Sequence, residues 1–241
     1  MDKHEREQLK HDVFVEEVTH SIDYAKHHQK QLTMYGGLAV AVLAAGFGWW
    51  WWSDKQLAER QKALKEAVEI QQAAIGPGQN PYVKVFPTQA EKDAAIIKSF
   101  SGLAAKYPGK QEGDIGTYFL GIANADQGKL DEAEKEWLKA VNGGGSEIAA
   151  LARFSLGQMY VRQNKLAEAE KHFRYLVDHS TTFVSKENAQ IELAKVLAKT
   201  NPAEAQKILE PLRQMSTRNQ VSRWAITAYG DTRPGPQAPT K

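Results

Sequence analysis

The residues best suited to chemistry in this chain are its histidines and carboxylates, and their spacing points away from catalysis. Five of the 7 histidines, His4, His11, His20, His27 and His28, fall within the first 31 residues. Asp23 and His27 stand one helical turn apart, a spacing that sets two metal ligands on one side of a helix. Two ligands on a free arm bind weakly, so no metal is expected and these histidines read as solvated, leaving the arm mildly pH-sensitive. His172 and His179, seven residues apart, read as surface residues. "NGGGSE", Asn142 to Glu147, lacks the Lys that a phosphate-cradling loop places before Ser or Thr. Neither G-x-S-x-G nor H-E-x-x-H occurs, and with 0 cysteines there is no thiol chemistry. The carboxylates lie in runs with Lys, as on ordinary solvated helix surfaces. A formal net charge of +2, from 31 basic and 29 acidic residues, leaves no nucleic-acid footprint. The expectation is a non-enzymatic protein without a cofactor.

With no catalytic constellation to position, the elements themselves carry the argument. "GLAVAVLAAGFGWWWWSDK" spans Gly37 to Lys55 and places four of the chain's 6 Trp side by side. Successive helical residues point about 100° apart, so four such rings cannot all face a soluble core. A lipid headgroup layer surrounds a helix on every side and accepts amphipathic indoles. Residues 32–52 carry no charge. A helix of that length covers about 30 Å, the thickness of a bilayer's hydrocarbon core. Tyr35 marks one interface, and Trp49, Trp50, Trp51 and Trp52 the other. A cleaved signal peptide fits poorly, because 31 acid-containing residues precede the apolar run and bulky Trp follows it.

Gly37, Ala41 and Ala45 recur at spacings of four, with Ala44 and Gly48 on the next stripe. That pattern suits a helix-packing face, and equally the general abundance of Gly and Ala in membrane spans. Orientation is undecided by charge. Lys26 and Lys30 flank one side as closely as Lys55, Arg60, Lys62 and Lys65 flank the other.

Residues 1–31 form a polar arm in which Val13, Phe14, Val18, Ile22 and Ala25 mark an amphipathic helix. Residues 53–75 read as a helical stalk, with Leu57, Gln61, Leu64, Val68, Gln71 and Ile75 at alternating spacings of four and three. Two heptads are too few for sustained pairing, so a helix lying on the following domain is the preferred reading. Glycines and prolines in 76–87 then break the helix.

Residues 88–229 repeat with a period of 36. Leu120-Gly121 matches Leu156-Gly157, Lys129-Leu130 matches Lys165-Leu166, Ala133 matches Ala169, and Trp137 matches Phe173. Ala205 and Leu209 keep the step in a weaker third copy, where Leu193-Ala194 stands one residue late. Phe100, Leu103 and Tyr107-Pro108 form a preceding half-copy. Such a period marks stacked two-helix units. Gly121 and Gly157 clear the helix crossings, Ala133 and Ala169 do so from the second helix, and Trp137 and Phe173 fill the space between units. Gly128 and Asn164 sit at hairpin turns that favour positive φ. The expected fold is all-α: one transmembrane helix, then a solenoid of about three helix-turn-helix units. The tail from Gly230 to Lys241 is Pro-rich and reads as disordered.

The "LG…Y…A…F" skeleton over about residues 88–212 resembles the tetratricopeptide repeat. With an arm, "DVFVEEVTHSIDYAKHHQKQL", a Trp-ended span and a stalk, the arrangement resembles the YfgM-like family of ancillary subunits of the SecYEG translocon. The resemblance implies an inner-membrane protein with its arm in the cytoplasm and its repeats in the periplasm. It further implies protein partners: translocon subunits, a periplasmic chaperone and exported polypeptides. The Pro-rich tail departs from that family.

In stacked two-helix units the first helices line a concave face, the usual binding surface. Register from Gly121 and Gly157 places Ile115, Tyr118, Ile122, Leu151, Phe154, Gln158, Val161 and Arg162 there, and the third unit adds Asn188, Ile191, Lys195 and Lys199. This groove is apolar at its start and basic at its end. Repeat domains of this type that grip a terminal carboxylate need Lys and Asn where this chain has Tyr118, Ile122, Phe154 and Gln158. An apolar peptide or a partner's helix suits the face better. Burial of Ile115, Leu151 and Phe154 against the stalk or the segment near Trp224 is the competing reading. A translocon accessory with a chaperone-like role and a scaffold for another envelope assembly, such as cytochrome maturation or cell division, both remain open.

Overall fold

The structure, a computed structural model, describes residues 29–76, 84–214, 224, 227 and 228. The amphipathic arm helix, its five histidines, most of the 76–87 loop and the tail from Gly230 lie outside the described residues. Among those described, the chain is all-helical but for one two-residue strand pair. It divides into two compact units, up to Glu59 and from Arg60.

The first unit is carried by helix α1, Gln29–Gln71, whose first part holds the apolar run. It is the one helix among the described residues long and apolar enough to cross a membrane. Every described side chain from Thr33 to Lys55 is exposed. Val40, Leu43 and Phe47 thus present a continuous apolar surface that water would not tolerate over this length. Tyr35 is exposed at one end and Trp49–Trp52 at the other. The indoles are mutually braced three residues apart, Trp49 against Trp52 at 5.7 Å, and Phe47 lies 5.8 Å from Trp50. Lys55 Nζ sits 4.0 Å over the Trp51 ring, one turn back. Gly37, Ala41, Ala44, Ala45 and Gly48 are all exposed, and among the described residues a Cβ added at Gly37 or Gly48 would meet open space.

In the second unit the last turns of α1 bury Ala67, with Ala63 and Leu64, against Phe100, Leu103 and Tyr107. Here Arg60 Nε meets Glu112 Oε2 at 3.4 Å, a pair largely withdrawn from water. The helix stops at Gln71, four residues before the last seam position expected of it. Ile75 instead joins strand β1, Ala74–Ile75, parallel to β2, Val85–Phe86. The cause is competition for backbone groups. Ala74 N–H donates to Lys84 O and Gly76 N–H to Phe86 O, while Lys92 Nζ donates to Ala73 O at 2.7 Å. Once those bonds form, a further helical turn cannot.

Among the described residues up to Gln214, seven helices follow: α2 Gln89–Lys106, α3 Gln111–Asp126, α4 Leu130–Gly143, α5 Ser146–Arg162, α6 Leu166–Asp178, α7 Lys186–Thr200 and α8 Pro202–Gln214. Each packs on its neighbours in sequence, and α3 also meets α5, which makes the arrangement repeat-like. Thr88 caps α2, its Oγ1 accepting from Glu91 N–H at 3.2 Å. Pro108 and left-handed Gly109 end it. At the α3–α4 and α5–α6 turns, Gly128 (φ +76°) and Asn164 (φ +58°) occupy the left-handed region expected of them.

Gly121 and Gly157 do clear the crossings. A Cβ on Gly121 would lie 2.5 Å from the Trp137 ring, and one on Gly157 2.6 Å from the Phe173 ring. The two aromatics lie on the glycine of their own hairpin, where a role between units was expected. Trp137 is fixed there because its indole N–H donates to Tyr118 O at 3.2 Å. The third hairpin solves the crossing with the fully buried Ala194 and Leu209. Its turn is Asn201 alone, two residues shorter than the other two, while its first helix runs one residue further past Ala194 than the others do past their glycines, and the difference is the one-residue slip. Asn201 replaces the left-handed residue by accepting from Glu204 N–H and donating to its carboxylate.

Candidate partner-binding site

The glycine crossings bring the first helices α3, α5 and α7 onto one run of core, and the predicted face residues separate into two clefts plus packing. The first cleft, of about 300 Å³, gathers Tyr118 and Ile122 from α3 with Gln158 and Arg162 from α5. Trp137 and Met159 line it as well, and Asp126 and Arg162 give its rim both charges. Tyr118 Oη approaches Ser155 Oγ at 3.5 Å across the cleft.

The second cleft, of about 320 Å³, gathers Phe154 from α5 with Asn188, Ile191 and Lys195 from α7. Trp224, Thr227 and Ala228 form its other wall. Phe154 is half-buried, its ring edge-on to Phe173 at 5.7 Å. Ile191 is only 2% exposed and offers a floor rather than a contact surface. This corrects its assignment to an open groove: counted with the one-residue lag, Ile191 holds Phe154's place in the repeat, yet it is buried in the core that it shares with Leu193, Ala194 and Ala228.

Ile115, Leu151 and Val161 pack half-buried against the main core and line neither cleft. Lys199 is exposed at the end of α7. The basic end expected of the groove is partly neutralised, because Lys195 Nζ pairs with Glu192 Oε1 at 2.7 Å.

A polar cluster between α4, α5 and α6 went unread in the sequence. Tyr160 Oη donates to Glu134 Oε1 at 2.7 Å, and burial with this partner raises the phenol's pKa above its ordinary value. The His172 ring stacks on Tyr160 at 5.6 Å, with its Nδ1 buried and unpartnered. Burial first, then the charges of Arg153 and Lys171, push the imidazole down to about 4, against a smaller opposing pull from Glu134. The histidine is therefore neutral in the fold and titrates near 6.5 in the unfolded chain. Between those values the unfolded state takes up a proton that the folded state refuses. Stability falls as pH drops from 6.5 towards 4. Thermal melts at pH 7 and pH 5 should show a drop in Tm that His172→Phe, which keeps the ring stack, makes smaller. An unchanged drop in that variant would move the effect to another group.

Elsewhere the polar contacts fasten loops and helices. The Glu147 carboxylate accepts from Thr182 and Phe183 N–H, and these bonds, that of Phe183 foremost, hold its pKa below the usual carboxylate value. Arg174 bridges Glu170 and Glu204 at 2.7 Å each, joining α6 to α8. Among the described residues no three His, Asp or Glu side chains gather as a metal site would require. Gly113 and Gly116 were also missed. Their spacing of three marks the closest crossing, where a Cβ on Gly116 would lie 2.9 Å from Ala104 N and one on Gly113 would fall on Tyr107 O. Compared with known proteins, the chain matches no family model, no curated sequence and no solved structure.

Proposed function

We propose that this chain is a non-enzymatic, single-pass membrane protein whose tetratricopeptide-like solenoid of about three units binds protein helices on its concave face. The observation that carries the reading is a fully exposed apolar helix, closed by four braced indoles, followed in the same chain by hairpins built on glycine–aromatic crossings. The first feature needs lipid around it. The second builds a ridge of first helices whose clefts hold half-buried Tyr118, Ile122 and Phe154 beside few charges, the chemistry of a helix-in-groove site.

Within that class the best-supported setting is the inner membrane, with the arm in the cytoplasm and the solenoid in the periplasm. There the chain acts as an accessory subunit of the Sec translocon, assisting exported polypeptides together with a periplasmic chaperone. What supports this setting is the order arm, Trp-ended span, stalk and repeats. Single cysteines at Ser21 and at the exposed Ser180 test it, since the chain has 0 native cysteines to label. With a membrane-impermeant maleimide applied to intact cells, Ser180→Cys should label and Ser21→Cys should not. Photo-crosslinking from the Tyr118 cleft should then capture a translocon subunit. The reverse labelling pattern would place the repeats in the cytoplasm and end the translocon reading.

A further inference from the structure

The second cleft already holds a piece of this chain. Trp224, Thr227 and Ala228 are each helical, and all three line the cleft opposite Phe154, Ile191 and Lys195. We infer that this C-terminal segment is a displaceable ligand of the chain's own binding face, occupying the place that a partner's helix would take. This deepens the reading that α5 and α7 form a partner surface, and rests on it.

Two observations separate a displaceable ligand from a permanent part of the core. The first is uneven burial: Ala228 is 2% exposed and joins the main core cluster, whereas Trp224 remains 45% exposed. The permanent Trp of the solenoid, Trp137, is 5% exposed, lies against a glycine and donates its N–H to a backbone carbonyl. The second is the space left over. A cleft of about 320 Å³ persists between the segment and the Phe154–Ile191 floor, so the segment is seated without filling its site. Interiors are otherwise close-packed, and an incompletely filled contact is the one most readily exchanged for a better-fitting one.

The segment also describes its competitor: a helix with a large aromatic at one position and small residues three and four positions later. Asn188 and the Lys195–Glu192 pair would border that helix. Because a self-docked site is open only part of the time, the apparent affinity for any such helix is reduced by the open fraction.

The test uses the chain in detergent, either full length or ending at Gln214, and a fluorescent peptide of residues 215–241 as the probe. The shortened chain should keep its helical circular dichroism and bind the peptide saturably. The full chain should bind it at least about tenfold more weakly, since its own segment competes. Phe154→Asp in the shortened chain, or Trp224→Ala in the peptide, should remove binding. Cooperative loss of helix on shortening would make the segment a fixed part of the core and overturn the inference. So would a shortened chain that keeps its helix yet fails to bind, or equal binding by both chains. The labelling and crosslinking experiment stands apart from this one, so failure of the partner assignment and failure of self-docking are distinguishable.

Discussion

Gly157→Ala should lower the stability of the helical repeat-like unit by about 2 kcal/mol, and Phe173→Leu in the same chain should recover at least half of that loss. The added Cβ would stand 2.6 Å from the Phe173 ring tip, inside any tolerable contact distance. Phe173 has 0% exposure and Leu156 and Leu176 around it are equally buried, so the ring has nowhere to move without displacing the core. Overpacking of this kind costs roughly 1–3 kcal/mol. For a unit of this size each kcal/mol moves Tm by about 2–4 °C, so a fall of about 4–8 °C is expected. Phe173→Leu alone leaves space over Gly157 and should also destabilise, by about 1–2 kcal/mol. The double variant installs the Ala and Leu that the third hairpin carries at Ala194 and Leu209, both fully buried there. The two changes should therefore be strongly non-additive, with a coupling of at least about 1 kcal/mol in a double-mutant cycle. Strict additivity would mean that glycine serves helix flexibility at this crossing and does not make room for the ring.

That crossing was legible in the sequence because residue type and period agree. A Gly recurring 36 residues apart, at Gly121 and Gly157, marks a close approach, whereas the aromatics 16 residues later were expected between units and instead lie on the glycine of their own hairpin. The long apolar helix was legible for a similar reason, since an uncharged run of that length closed by adjacent indoles has few physical meanings. The binding face was legible only as a direction. Periodicity states which side of α3, α5 and α7 a residue lies on, but not whether a neighbouring helix takes up that side. Leu151 and Val161 share a face with Phe154 and yet are absorbed into packing between units. Ile191 was lost to the core it shares with Leu193, Ala194 and, from far along the chain, Ala228, a long-range neighbour that the repeat period does not name. The Arg60–Glu112 pair joins positions far apart in the chain, and nothing local in either neighbourhood names the other. Gly113 and Gly116 carried a readable signal, two small residues on one helix face, but they lie outside the 36-residue correspondence that marks Gly121 and Gly157.

The membrane reading makes the other large prediction, and the outcome separates a lipid-embedded helix from an apolar helix covered by protein. Val42 and Leu43 sit near the middle of the uncharged run and are 64% and 72% exposed. On insertion scales an Arg at the centre of a span costs about 3 kcal/mol, so Val42→Arg with Leu43→Arg together cost about 6 kcal/mol. Between Tyr35 and the Trp block the native run holds, apart from Phe47, only small and aliphatic residues, with Gly36, Gly37, Gly46 and Gly48 adding little apolarity, so its margin is smaller than that cost. The double variant should leave the membrane pellet on alkaline carbonate extraction, while the native chain stays in it. The helical unit from Arg60 offers an internal control: Ala67, Phe100 and Leu103 pack without residues 42 and 43, so its Tm should not change. Replacing Trp49–Trp52 by Ala should act differently, because the belt fixes depth at the interface while the aliphatic run supplies insertion. That variant should remain in the pellet, with a cysteine at Ser53 reacting over a broader range of depths. Retention of the double-Arg variant after carbonate extraction would mean that something other than lipid contact of α1 holds the chain to the membrane. The exposed apolar helix would then be a protein-docking element.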